Sequence, residues 1–290
     1  MRNKIIELIN EKEKRSSIFL TADMGFSVLE KTKKLFKNFF FNVGVAENNM
    51  LLIACGLEES LSRRVYCYSI SPFVTLRTFE VIRNFISNDN RNIRIIGVGS
   101  GVSYAEMGKT HFNFDDINSL YSLKNILILN PANVEELDYL FKKFLKYNKP
   151  IYFRINKFNF FDNLKFKKIN NIFLKRGKLT NLVTSGAVLN HILKNLNKEE
   201  IDLLNIISVP IIHHDYNKNI IKFFNKKNKT VFLCDSSKTL FFEELKSSIN
   251  SNNKIINFDC NHNCINKVGG YDYILNSLGL NRKNLLKLLF

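Results

Sequence analysis

The sequence predicts an α/β protein of two domains, each a largely parallel sheet flanked by helices. Three observations carry this expectation. Short strand-like runs alternate with helical segments along most of the chain, the pattern of parallel strands joined by helical crossovers. The alternation lapses over residues 158–178, where charge rises, and a second alternating block follows. A length of 290 residues accommodates two moderate cores,.

The elements follow in order. Arg2–Lys14 reads as a charged amphipathic helix and Ser17–Thr21 as a short strand, followed by a helix over Val28–Phe36,. Phe39–Asn42 reads as strand, Glu47–Glu59 as helix, Val65–Ser69 as strand and Phe73–Ser87 as helix. The first block ends with strand Ile93–Val98, helix Asp115–Ser122, strand Ile126–Leu129, helix Val134–Lys146 and strand Ile151–Arg154. These assignments place a first domain at 1–157, a linker at 158–178 and a second domain at 179–290. In the second domain the elements fall at Asn181–Thr184, Ala187–Asn195, Ile201–Ser208, Ile220–Phe224, Val231–Cys234, Phe241–Ile249 and Ile255–Phe258. A helical tail spans Tyr271–Leu289.

Composition narrows the function classes. A hydrophobic fraction of 45% excludes a disordered chain,. No apolar run approaches the length of a membrane span, and the opening residues lack a signal-peptide apolar region,. Five cysteines without tight pairing fit a reducing compartment, so a cytoplasmic, membrane-free protein is expected,. The net charge of +17 raises a nucleic-acid reading. A nucleic-acid surface would gather Lys and Arg on one face beside exposed aromatics. Here the basic residues are dispersed amid abundant Asn, Ile and Phe, so no specific nucleic-acid partner is expected.

The most informative stretch is Val43-Gly44-Val45-Ala46-Glu47-Asn48-Asn49-Met50, which sets a carboxylate where an apolar strand turns into an apolar helix. A carboxylate at such a junction is costly unless it has a partner. Two readings stand: an acid favoured by the helix dipole, and a catalytic acid.

The surrounding motifs form an ordered set. GVAENNMLLIACGL is followed by RRVYCYSISPFVTLRTFEVIRN, then MGKTHFNFDDINSL, NILILNPANVEEL and KPIYFRI. In this order they resemble the pyrimidine-binding domain of the transketolase family, in particular the C-terminal section of split bacterial transketolases. The resemblance runs from about Asp23 to Asn156, with a weaker echo to the C-terminus.

That resemblance implies thiamine diphosphate as cofactor and assigns roles to individual residues. Glu47 takes the position of the acid that hydrogen-bonds the pyrimidine ring nitrogen. Phe73 takes that of an aromatic platform for the ring, and Ile70 stands where the family carries a neighbouring aromatic. Asp23 matches a position near the cofactor. His111, in Gly108-Lys109-Thr110-His111, matches a histidine that contacts the reacting oxygens of the sugar. Ser27 and Arg154 align with residues holding a sugar phosphate, a guanidinium being suited to bidentate phosphate contact. Read from the residues alone, Phe73 is equally one of 26 phenylalanines at a helix start. Arg154 is equally an arginine paired with a nearby acid, and Arg77 faces either a subunit interface or solvent. One departure bears on substrate: Met107 stands where classical transketolases carry an Asp that reads a sugar hydroxyl.

No Gly-Asp-Gly motif, phosphate loop or dinucleotide fingerprint occurs in the chain,. The resemblance therefore implies a second, diphosphate-binding N-terminal transketolase subunit that holds the cofactor's Mg²⁺ or Ca²⁺, in an α₂β₂ complex. The expected activity is transfer of a two-carbon ketol unit between sugars or sugar phosphates. The alternative is a noncatalytic scaffold or regulatory subunit derived from a transketolase. Cys260-Asn261-His262-Asn263-Cys264 is too tightly spaced to supply four tetrahedral zinc ligands, and no metal is assigned to this chain,. His213-His214 is expected in a loop after Pro210.

Overall fold

A computed structural model describes residues 1–158, 164–216, 220–225, 228–247, 249, 254–258, 260 and 266–290. Its first sheet contains β1 (Ser17–Thr21), β2 (Phe40–Asn42), β3 (Arg64–Ile70), β4 (Ile93–Val98), β5 (Leu127–Leu129) and β6 (Ile151–Ile155). The second contains β7 (Lys167–Ile169), β8 (Ile172–Lys175), β9 (Asn181–Ser185) and β10 (Asn205–Ser208). After β11 (Ile211–Ile212), it continues with β12 (Thr230–Cys234) and β13 (Ile255–Asn257). The orders are β11-β5-β6-β4-β3-β1-β2 and β13-β12-β9-β10-β8-β7. Every pair in the first sheet is parallel except β11 with β5. Central strands β4 and β6 are buried along their whole length because helices cover both faces,. The α/β architecture with largely parallel sheets is thus the one the alternation predicts.

Helix Glu47–Leu61 shows how the sequence positions the functional face. Met50, Leu51, Ala54 and Cys55 recur at helical spacing and are buried, with the helix packed against β3,. The opposite stripe leaves Leu52 (44%) and Ile53 (36%) exposed, with Val45 (75%) just before the helix.

Several elements differ from expectation for identifiable reasons. The segment 158–178 contains an antiparallel hairpin, β7–β8, that extends the second sheet. Its turn is Asn170-Asn171, both at positive φ (44° and 72°), a pair suited to tight hairpins. The lysines that read as a linker, Lys167 and Lys168, lie exposed on edge strand β7, where charge discourages pairing with other chains. The Phe73–Ser87 helix is divided into helical turns Ser71–Thr75 and Phe79–Val81 and a π-type turn Ile82–Ser87. The C-terminal tail breaks at Gly279, whose φ is 95°. Ile201–Ser208 divides into a helix, Lys198–Leu203, and β10, while Ile220–Phe223 is a 3₁₀ turn.

The two halves are also less separate than expected. After Pro210, β11 returns to the first sheet and pairs Ile211 with Leu129 and Ile212 with Ile128. One apolar cluster runs from Ile18 and Leu20 in the first half to Val183, Ile207 and Phe232 in the second. Glycines permit the close approach. Gly101 has φ +56°, and a Cβ there would lie 2.3 Å from Asp235 Oδ2; Gly186 has φ +81° and faces the Asn130 side chain. Asn130 Nδ2 donates to Ser185 Oγ (3.0 Å) and Ser236 Oγ to the Phe114 carbonyl (2.8 Å).

Gly101→Ala combines an unfavourable φ with overpacking against Asp235. It is expected to cost about 1–3 kcal/mol of stability in denaturant unfolding. A neutral substitution would show that this approach is slack.

Candidate active site

The carboxyl ends of β1, β3 and β4 bring the candidate residues to one side of the first sheet. Glu47 is the first residue of its helix, following Gly44 at φ 76°. Its side chain is only 2% exposed, and the helix N-terminus favours its negative charge. Ser69, near the end of β3, donates from Oγ to Glu47 Oε1 at 3.1 Å, and Arg77 Nη1 donates to Oε2 at 2.9 Å. The burial cost is therefore met by a hydroxyl and a cation.

Phe73 lies on the turn that follows β3. The Arg77 guanidinium sits 4.5 Å from its ring centroid, and the His111 ring meets it edge-on, centroids 5.1 Å apart. Tyr104 flanks His111 on another side, at 6.1 Å. His111 Nδ1 is 2.9 Å from Thr110 Oγ1. Burial draws the imidazole below its ordinary value, so it is neutral at neutral pH and accepts a proton only on acidification. Glu47, Phe73 and His111, far apart in sequence, thus form one cluster linked through Arg77. Ile70 closes β3 beside it and is 7% exposed.

Asp23 is exposed, at φ 53°, on the loop after β1. Its N–H donates to Asn42 Oδ1 and its Oδ1 accepts from Asn42 Nδ2, both at 2.9 Å. Asn42 Oδ1 also accepts from Gly44 N–H, so Asp23 braces the loop leading into Glu47. Ser27 is exposed as well, and its N–H is taken by Glu30. Met107 is 62% exposed in the loop before His111.

Arg154 departs from expectation. Proposed to grip a sugar phosphate, it is fully buried and already saturated with protein partners. Nε donates to Asp116 Oδ2 (2.9 Å) and Nη1 to Asp235 Oδ1 (2.6 Å), while Nη2 reaches the carbonyls of Asn113 and Asp235 (both 3.1 Å). Burial opposes its charge, but the two carboxylates outweigh it and hold the guanidinium well above its ordinary range. With both faces of its fork engaged, Arg154 presents no donor to a substrate in this structure. Asp116 Oδ2 also accepts from Tyr152 OH (2.7 Å), which lies 2.7 Å from Ser71 Oγ. A polar chain therefore joins Asp235 of the second domain to the first residue of the turn bearing Phe73.

Sequence reading missed Ser69, Asp116 and Asp235. Asp235 directly follows parallel strand β12, a common ligand position, but no local pattern shows that it reaches into the other domain. His213 Nε2–H donates to the Lys124 carbonyl (3.1 Å) and His214 stacks on Tyr121 (4.0 Å), so both serve the joint between halves. His262 and Cys264 of the tight cysteine-histidine cluster lie outside the described residues.

Residues 6–161, over half of the chain, match the family model of the transketolase pyrimidine binding domain. The chain belongs to the transketolase family. It is 30% identical to an apulose-4-phosphate transketolase component of Actinobacillus succinogenes over 42% of this chain and 39% of that one. It is 24% identical to a 1-deoxy-D-xylulose-5-phosphate synthase of Clostridium tetani over 98% of this chain and 47% of that protein. These alignments reach less than half of each relative's length. Among solved structures, a split gene transketolase in the form of an inactive beta4 tetramer superimposes with a TM-score of 0.81. It is 20% identical, and the match covers 99% of this chain and 96% of that one. The transketolase-like architecture thus extends beyond the matched domain into the C-terminal half. No helix among the described residues is long and apolar enough to cross a membrane.

Two outcomes are expected of these assignments. Arg154→Leu would leave Asp116 and Asp235 buried without their cation, lowering stability by about 3–5 kcal/mol in chemical unfolding. A loss below roughly 1 kcal/mol, typical of a surface change, would return Arg154 to the substrate. By NMR, His111 should titrate at lower pH in the folded chain than after unfolding, so its share of stability is present at neutral pH and lost on acidification. The reverse order would refute its desolvation.

Proposed function

We propose that this chain is the pyrimidine-binding subunit of a split, thiamine-diphosphate-dependent transketolase-type enzyme that transfers a two-carbon ketol unit between sugars or sugar phosphates. The observation that carries the reading is Glu47: a carboxylate almost wholly buried at a helix start and linked through Arg77 to an aromatic ring that meets an imidazole. The donor set fits an aminopyrimidine, because a buried acceptor beside a flat apolar surface suits a ring with a polar edge.

When bound, thiamine diphosphate supplies the carbanion chemistry of ketol transfer. This chain's residues bind and orient. Glu47 Oε2 would hold the pyrimidine ring nitrogen through a shared proton, favouring the ring's protonated and imino forms, while Ser69 fixes the other oxygen. Phe73 gives the ring a surface, with Ile70 lining the pocket where an aromatic is more usual. Asp23 and Asn42 hold the loop before Glu47. His111, neutral and oriented by Thr110, donates a hydrogen bond to a sugar oxygen. Ser27, on the loop after β1, is the remaining residue proposed to reach a sugar phosphate.

Diphosphate and its Mg²⁺ or Ca²⁺ fall to a separate N-terminal transketolase subunit, in an α₂β₂ assembly. Exposed Val45, Leu52, Ile53 and Leu76 beside the cluster support such a partner,. Met107 in place of an acid argues for a sugar differing from the classical pentose-phosphate donor at the hydroxyl that acid would read.

The test is reconstitution with the diphosphate-binding subunit. Glu47→Gln keeps size and hydrogen bonding but removes the charge, and should lower turnover at least ~10²-fold while subunit pairing survives. Undiminished turnover would remove Glu47 from the mechanism. A wild-type complex that binds the cofactor yet is inert toward every ketose supplied would favour the scaffold reading.

A further inference from the structure

Arg77 lies on the open side of the cluster. Half of its side chain is exposed, against 2% for its partner Glu47. It makes two contacts at once, a 2.9 Å hydrogen bond to Glu47 Oε2 and a face contact 4.5 Å from the Phe73 centroid. A planar group lies over an aromatic ring and donates to a buried carboxylate. Those are the same two anchors that the function proposed above assigns to the cofactor's aminopyrimidine.

We propose that Arg77 is a placeholder: in the free chain its guanidinium occupies the aminopyrimidine anchors, and it must withdraw when that ring arrives. The inference rests on the proposed roles of Glu47 and Phe73. Without a cation, Glu47 would be a buried charge held by Ser69 alone, a strongly destabilising state. A guanidinium suits the interim role because it is flat, permanently charged and able to stack. A lysine would satisfy the charge but not cover the ring.

Withdrawal needs no backbone movement. The turn Ser71–Thr75 is anchored by Thr75 Oγ1 donating to the Ser71 carbonyl and by Asn113 Nδ2 donating to Ser71 Oγ. Arg77 follows that turn on a long side chain that is half exposed to solvent. The device also selects its ligand. A ring that stacks but cannot donate would displace Arg77 and strand Glu47, whereas a ring that does both replaces each lost contact. Occupancy by Arg77 lowers apparent affinity by the fraction of molecules in which the pocket is free. Loading is thereby coupled to events that draw Arg77 outward, such as arrival of the partner subunit on this face.

The test titrates the hydroxymethyl-aminopyrimidine half of thiamine into the isolated chain, read by calorimetry and by the NMR signals of the Phe73 and His111 rings. Arg77→Ala should bind this probe about 3- to 10-fold more tightly than wild type, as expected when a competing closed state is removed. Equal or weaker binding, or none detectable, would overturn the proposal. If Arg77→Ala does not fold, Arg77→Lys takes its place, with a smaller gain of the same sign expected and no gain overturning it. Glu47→Gln separates the two levels of inference. Should it weaken the probe while Arg77 variants gain nothing, the placeholder fails and the cofactor role of Glu47 stands. Should it leave probe binding unchanged, the cofactor role itself fails and takes the placeholder with it.

Discussion

A guanidinium sealed from water requires compensating charge, and Arg154 obtains it from both halves of the molecule. Asp116 comes from a helix of the first domain and Asp235 from directly after a strand in the second. Removing Arg154 leaves two buried carboxylates uncompensated, and removing either carboxylate leaves buried guanidinium donors without an acceptor, so the domains cannot separate cheaply,. The close approach of Gly101 to Asp235 and of Gly186 to Asn130 follows from the same demand. Through Tyr152 and Ser71 the network also fixes the turn that carries Phe73. The second domain, which contributes no residue to the Glu47 cluster as described, thus steadies that cluster's aromatic wall.

The second buried acid is held differently. Glu47 is nearly as inaccessible as Asp116, yet its cation approaches from the open side and remains half exposed. The contrast separates a sealed charge pair from one whose counter-ion is open to solvent. A pair closed within protein on every side is fixed, whereas a buried carboxylate whose counter-ion can leave is available to another donor. Arg154 belongs to the first kind despite aligning with a phosphate-binding position, and Glu47 to the second.

Much of the fold was legible because strand and helix periodicities are local. Ser17–Thr21 and Ile93–Val98 were placed to the residue, since both are short runs flanked by polar turns. The hairpin over 167–175 was not legible, because lysines that protect a sheet edge look the same in sequence as lysines of a linker,. Nor was β11, two residues long, whose pairing with β5 is decided by contacts across the domain joint.

The sequence by itself determined the family and the alternating architecture, and it singled out Glu47, Phe73 and His111 as candidates, because each sits in a short motif at a strand–helix junction. The tertiary structure alone decided which charge meets which. Arg77 lies 30 residues from Glu47, and Asp235 lies 81 from Arg154. Pairing over such separations leaves no periodic trace, since it depends on how strands are ordered in the sheets and on how the two domains close upon each other.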